Sequence, residues 1–409
     1  MKTYLYTHIG IVLCLAAPAY LQDKFNIADS INKFSLDLLA SVNLEGGNNL
    51  NIALSPLTIW TLLTIASEGA YDSTADQIDR VLGQPQNKNV VRDSYDRLIR
   101  QLEKSITRET EFETSTGLFS RQEFPVKDKF EQIVKQYYRA SITPVDFKGN
   151  NKEAAEIINK YVAAGTKNRI SQLVNSDDVR NAYFVMTTTM YFKGQWQTPF
   201  NRTATQKASF LDDRKNKIGE VEMMYQAHPY PYDRIDRINA HAIELPYGFD
   251  DTFSMLVLIP RGFQTVTNML NELTKESITD ILAKLEQNHQ LYFEDDVHVY
   301  LPKFKVVSDF NMDRVLERMG IVDIFDDQKA NLLGIFPHYL FLSRIIQKAE
   351  IEVDEEGTVA SAAASAIFLN RAPPPIVKAN RPFAFFIIHK QSGSIIFAGK
   401  ISNPNTLAP

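Results

Sequence analysis

Cysteine is nearly absent: the 409-residue chain has one, Cys14. It falls inside an N-terminal stretch with the pattern of a secretory signal, in which Lys2 precedes an apolar run from Ile9 to Ala17 and Ala17-Pro18-Ala19 supplies small residues for cleavage. A mature chain starting just after Ala19 has no thiol. That excludes disulfides, cysteine nucleophiles, thiolate zinc sites and redox chemistry, and leaves core packing alone to stabilise the fold. Long apolar runs are missing as well. The N-terminal run has about nine residues against the roughly 20 needed to span a bilayer, so the expectation is a soluble, secreted protein with no membrane partner. Nor is there an excess of positive charge. The formal net charge is −5, and removing Lys2 from the 44 basic residues leaves 43 against 49 acidic ones, which gives no global attraction to nucleic acid.

Enzyme signatures are equally scarce. The seven histidines (His8, His228, His241, His289, His298, His338 and His389) form no HExxH and no close ligand pair, so no zinc site is expected. No G-x-S-x-G elbow, no phosphate-binding G-x-x-x-x-G-K-[ST] loop and no dinucleotide fingerprint occurs. The acidic clusters Asp295-Asp296 and Asp354-Glu355-Glu356 are poor acid/base pairs, because neighbours on a strand point to opposite faces, and they read as solvated turns.

What is present is a large core-forming composition, 44% hydrophobic and 23% charged, with no internal repeat, low-complexity tract or dividing linker. One domain over residues 20–409 is the expectation. Apolar spacing predicts helices over Ala28–Val42, Leu57–Glu68 (capped by Ser55-Pro56), Asp72–Leu82, Asn89–Ile106, Lys127–Tyr138 and Lys152–Thr166, making the N-terminal half mainly helical. Strands are predicted over Tyr183–Phe192, Lys217–Tyr225, His241–Leu245, Phe253–Ile259, Leu291–Leu301, Phe341–Val353, Phe383–Lys390 and Ser394–Ile401. Helices over Thr265–Leu273, Ser277–Gln287 and Asn311–Met319 complete an α+β pattern rather than a doubly wound one.

One stretch stands apart, Glu355 to Pro375, reading EEGTVASAAASAIFLNRAPPP. As a strand it places Thr358, Ala360, Ala362, Ala364, Ala366 and Phe368 on one face, the first five small enough to enter a core, after a permissive Gly357. An alanine-rich helix fits the same residues, and periodicity does not choose between them. Structured runs follow it, so the segment is displayed between elements rather than hanging as a tail.

This stretch, with Val377-Lys378-Ala379-Asn380-Arg381-Pro382-Phe383 and SIIFAGKISNP (Ser394 to Pro404), resembles the serpins, suicide-substrate inhibitors of serine proteases. So do Asn51-Ile52-Ala53-Leu54-Ser55-Pro56, Phe192-Lys193-Gly194-Gln195-Trp196, Val221-Glu222-Met223-Met224 and Leu301-Pro302-Lys303-Phe304, across essentially the whole mature chain. The resemblance implies one domain of three β-sheets and eight to nine helices, with an exposed reactive loop at about 354–376. It implies no enzyme activity and no metal or resident cofactor. The expected partner is an extracellular trypsin-like serine protease, held covalently by a monomeric inhibitor; the overall style is that of secreted arthropod serpins acting in innate immunity.

Residue by residue, the resemblance makes Glu356, Gly357, Thr358, Val359, Ala360, Ser361, Ala362 and Ala363 the hinge of the loop. Counting 14 residues on from Gly357, or 11 back from Pro382, puts the reactive bond at Arg371-Ala372. Arginine there suits a specificity pocket holding a buried carboxylate. Cleavage after Phe368 or Leu369, suiting a chymotrypsin-like enzyme, is the alternative, and a non-inhibitory carrier or binding protein of the same fold is a second. The chain departs from the family at Val359, often acidic in relatives, and at Thr188 and Gln347, where an Asn and a His meet beneath the sheet. Both replacements retain hydrogen-bonding groups, so a changed contact between them is expected. Two accessory features complete the reading. Asn201-Arg202-Thr203 is a glycosylation sequon, and Lys88, Arg92, Arg97, Arg100 and Lys104 offer a cationic face for a heparin-like sulfated polysaccharide, diluted by Asp93, Asp96 and Glu103.

Overall fold

The computed structural model describes residues 25–47, 49–356 and 373–406. Helix α1 (Ile27–Gly46) starts at Asn26, whose side chain accepts the Ala28 amide, and packs its Ile31, Phe34, Leu38 and Val42 face inward. After the short strand β1 (Ile52–Leu54), Ser55 caps α2 (Pro56–Gly69) with proline in its first turn. Almost every side chain of α2 is buried, which makes it the central helix of the molecule. Helices α3 (Asp72–Leu82) and α4 (Lys88–Lys104) follow as one-sided amphipathic helices. Then β2 (Thr110–Arg121), α5 (Asp128–Tyr138), β3 (Ser141–Val145) and α6 (Asn151–Gly165) alternate.

Strands β4 (Phe184–Gly194), β5 (Gln206–Leu211), β6 (Lys217–His228), β7 (Tyr232–Ile235), β8 (Ala240–Tyr247) and β9 (Phe253–Pro260) come next. Helices α7 (Val266–Leu273) and α8 (Ile278–Leu291) lead to β10 (Val297–Pro302), β11 (Phe304–Asn311) and α9 (Asp313–Met319). The chain ends through β12 (Arg344–Val353), β13 (Ile376–Lys378), β14 (Phe383–His389) and β15 (Ser394–Ile401). Among the described residues these make nine α-helices and three sheets, as the resemblance implied. The sheets have the orders β1-β15-β14-β9-β8-β7, β13-β10-β6-β5 and β11-β12-β4-β2-β3.

Two expectations are corrected. The N-terminal half is less helical than its spacing predicted, because β2 and β3 belong to the five-stranded sheet. The middle of β2, Thr114-Ser115-Thr116-Gly117, is polar and hides its alternation. Gly117 is needed there because a Cβ would lie 2.7 Å from Tyr161, on α6 packed across the sheet. The predicted strand over Leu291–Leu301 also divides: Leu291 closes α8, residues 292–296 turn in solvent, and β10 begins only at Val297. Pro302 and Lys303 then carry the chain from the four-stranded sheet to the five-stranded one.

Candidate functional site

In the five-stranded sheet, β12 lies directly beside β4 and parallel to it, in continuous register from Arg344↔Val185 to Glu352↔Lys193. A parallel central pair inside an otherwise mostly antiparallel sheet leaves one topological opportunity. A strand that turned back after β12 would run antiparallel to β12, and hence to β4 as well, and could pair with both. The chain leaves β12 at that end, through Asp354, Glu355 and Glu356, and returns at Pro373. It is then fixed at the edge of a different sheet, where β13 pairs parallel with β10 and the His298 amide donates to the Pro375 carbonyl at 2.9 Å.

The first tether is dense with charge. Lys193, at the end of β4, reaches Glu352 at 2.9 Å, Asp354 at 3.0 Å and Glu356 at 3.5 Å. Partial burial works against its charge, but the hydrogen bonds to Glu352 and Asp354 prevail and hold its pKa above the ordinary lysine value. Lys303 meets Glu355 at 3.0 Å, and Thr205 donates to the same carboxylate at 2.8 Å. Desolvation pushes Glu355 up, and these two partners more than offset it, so its pKa lies below the usual range. Trp196 closes the cluster. Its indole N–H donates to the Asp354 carbonyl at 2.7 Å, its amide donates to the Glu356 carbonyl at 3.0 Å, and its ring stacks on Tyr247 at 4.3 Å. The reading of Asp354-Glu355-Glu356 as a solvated turn is therefore wrong. Glu355 is buried, because two sheets converge around it and each carboxylate finds a cation.

Deeper in the sheet, Thr188 and Gln347 stand opposite each other, as expected, but do not bond to each other. The Gln347 amide instead donates to the Ser55 carbonyl at 2.8 Å and the Thr58 hydroxyl at 3.0 Å, while its oxygen accepts the Ser55 amide at 3.2 Å. The N-terminus of α2, with its unpaired helix-end groups, is the better partner. The Thr188 hydroxyl is buried without a hydrogen-bond partner among the described residues.

Of the hinge residues read from sequence, Glu356 is placed in the ion-pair cluster; Gly357, Thr358, Val359, Ala360, Ser361, Ala362 and Ala363 lie outside the described residues, as do Arg371 and Ala372. So do the alternative positions Phe368 and Leu369. The tether residues Lys193, Trp196, Thr205 and Lys303 carried no site reading in the sequence, because each acts through a partner distant along the chain. Asn201 is exposed, its side-chain oxygen accepting from the Thr203 amide and hydroxyl at 2.9 and 2.8 Å. Its neighbour Arg202 pairs with Glu356 at 3.2 Å. The cationic face of α4 is largely neutralised: Lys88 binds Asp79 at 2.7 Å, Arg92 forks onto Glu68 at 2.5 and 2.8 Å, and Arg100 binds Asp96 at 2.8 Å. Arg97 donates to Ser94, and Lys104 is exposed. No cluster of metal-ligating side chains occurs among the described residues.

The family model "Serpin (serine protease inhibitor)" matches residues 29–404. The chain is a serpin. Leukocyte elastase inhibitor of Xenopus tropicalis is 32% identical over 93% of this chain and all of its own length, and the Homo sapiens protein of that name is 29% identical over 92% and 99%. Among solved structures, Manduca sexta serpin-12 superimposes with a TM-score of 0.79 at 25% identity, covering 92% of this serpin and 98% of that chain. Serpins inhibit serine proteases through covalent complexes, and this one belongs with inhibitors rather than enzymes. The parallel β4–β12 pair, the tether beside it and the second tether on β10 give that chemistry its frame: a segment held at both ends, with an acceptor in the sheet beside one of them.

Proposed function

We propose that this serpin is a secreted, monomeric inhibitor of trypsin-like serine proteases, cleaved at Arg371-Ala372 and trapping the acyl-enzyme by loop insertion. The observation that carries the reading is the parallel β4–β12 pair with the loop leaving from its open end. The protease serine attacks the Arg371 carbonyl, the acyl-enzyme forms as the Arg371-Ala372 bond breaks, and Ala372 leaves as a free amine while β13, β14 and β15 stay held in their sheets. The freed segment then adds between β4 and β12 as an antiparallel strand, a mode of strand addition for which serpins are themselves a standard example. Gly357 to Phe368 supplies 12 residues for strands of 11 and 10 residues, so the lengths match. The small residues on one face of that segment enter without large clashes.

Trypsin tests this directly. The expected products are an SDS-stable complex and a free peptide running from Ala372 to Pro409, both abolished by Arg371→Ala. Cleavage without complex or thermal stabilisation supports the non-inhibitory reading instead. A second target class is favoured by the names of the relatives, which are elastase inhibitors; it predicts complexes with chymotrypsin or elastase and a released peptide that begins at Leu369 or Asn370. Asn201 is proposed to carry a glycan, read as a mobility shift after enzymatic deglycosylation of the secreted protein. With Lys88, Arg92 and Arg100 already ion-paired, a sulfated polysaccharide would have to displace carboxylates. Inhibition is accordingly expected to proceed at the same rate with and without heparin.

A further inference from the structure

The α8–β10 connection exposes three large apolar residues in succession. Leu291, Tyr292 and Phe293 are 70%, 57% and 61% exposed, and Glu294, Asp295 and Asp296 follow them immediately. The strip is held in shape: the Tyr292 amide donates to the Asn288 and His289 carbonyls at 3.1 Å, and the Asp295 amide to the Tyr292 carbonyl at 2.9 Å. A contiguous apolar surface rimmed by carboxylates marks an interaction site more often than scattered exposed side chains do.

Its place in the fold says what covers it. Two residues after Asp296, His298 receives the returning loop through the bond to Pro375, and Ile376, paired with His298 and 62% exposed, extends the apolar surface. Four residues separate Pro375 from Arg371, a reach of at most about 14 Å of extended chain. A protease seated on the Arg371-Ala372 bond covers about 800 Å² of its inhibitor, a patch extending about 16 Å from that bond and so a little beyond that reach. The footprint thus reaches Pro375 and His298, and the strip, joined to His298 through residues 294–297, borders it on the side of Ala372.

We propose that Leu291, Tyr292 and Phe293, with Asp296 beside them, form a secondary docking surface for the target protease, matching a rim that is apolar and basic beside its cleft. This rests on the reading of Arg371 as the reactive position. Apolar contact lengthens the encounter, and the Asp296 carboxylate raises the association rate by steering. The contact precedes acylation, so it affects how fast the complex forms and not whether the loop inserts.

The test uses the full-length inhibitor and trypsin. The triple variant Leu291→Ser/Tyr292→Ser/Phe293→Ser should lower the second-order rate of complex formation about fivefold or more, and Asp296→Lys should weaken its dependence on salt. Melting temperature and stoichiometry of inhibition should remain those of the unaltered protein, since the side chains are exposed and remote from the insertion site. A rate within about twofold of the unaltered protein overturns the proposal. So does a concentration-dependent dimer of the unaltered protein that the triple variant abolishes, which would make a second copy the occupant. If the unaltered protein forms no trypsin complex, or Arg371→Ala still does, the reading of the reactive bond fails first and the strip loses its partner with it.

Discussion

Cutting the loop without trapping a protease isolates the energy of insertion. A metalloprotease attacks with water and forms no acyl-enzyme, so a cut between Phe368 and Ala372 frees the segment with nothing attached. Insertion then replaces one ladder with two. The β4–β12 ladder runs over nine registered pairs, from Arg344↔Val185 to Glu352↔Lys193, so the net gain is close to one further ladder of similar length. At ~0.5–1.5 kcal/mol per hydrogen bond, nine bonds contribute about 5–14 kcal/mol. Unfolding entropy of ~2.1 cal/mol/K per residue gives about 0.9 kcal/mol/K for a chain of this length, so the melting temperature should rise by roughly 5–16 °C. Scanning calorimetry on intact and cleaved protein measures the shift, with mass spectrometry locating the cut. A verified cut that leaves the melting temperature within a degree or so of the intact value refutes the insertion reading, because no other consequence of opening a surface loop hides a gain of that size. It would leave the fold untouched and favour the carrier reading.

Three further perturbations separate the parts. Ala362→Glu places a carboxylate on the inward face of the inserting strand, where burying an unpaired charge costs several kcal/mol; the stoichiometry of inhibition should climb and trypsin should release cleaved serpin instead of complex. Thr188→Val removes a buried hydroxyl without a partner among the described residues, at nearly constant shape, and should stabilise the intact form by about 1–3 kcal/mol, measured by urea denaturation. His389 is fully buried between the Ser105 and Ser392 hydroxyls at 2.9 and 2.8 Å, and burial pushes its pKa down to about 4. A folded pKa below the unfolded value of ~6.5 means stability that is complete above that pH and lost as pH falls from it toward 4, by about 3 kcal/mol. His389→Gln should flatten the stability profile in that window, seen by denaturant midpoints across pH.

The proposed reactive segment, most of it outside the described residues, is a reading from sequence alone and rests on local chemistry: a glycine, small residues at alternate positions, one arginine and prolines lie in a single run. The two acceptor strands were legible as Tyr183–Phe192 and Phe341–Val353, but their parallel pairing was not, because it joins residues far apart along the chain. Central strands β2 and β4 carry Thr114-Ser115-Thr116 and Thr187-Thr188-Thr189 where an apolar alternation would announce a buried sheet, and the Thr188 and Thr189 hydroxyls lack partners among the described residues. On the proposed insertion, a sheet that parts between β4 and β12 is better served by such residues than by an interlocked aliphatic seam. Thr188 adds no bond across the gap, and Gln347 directs all three of its hydrogen bonds to Ser55 and Thr58 on the helix side. The pair is thus joined by its backbone ladder and held at its open end by Lys193, whose bonds run from β4 to Glu352 and to the departing Asp354 and Glu356. Lys193→Met should therefore loosen that end first. The expected result is faster amide hydrogen exchange in Ile351–Glu356 with exchange at Ile345 and Ile346 unchanged; uniform exchange along β12 would show that the tether does not control the opening.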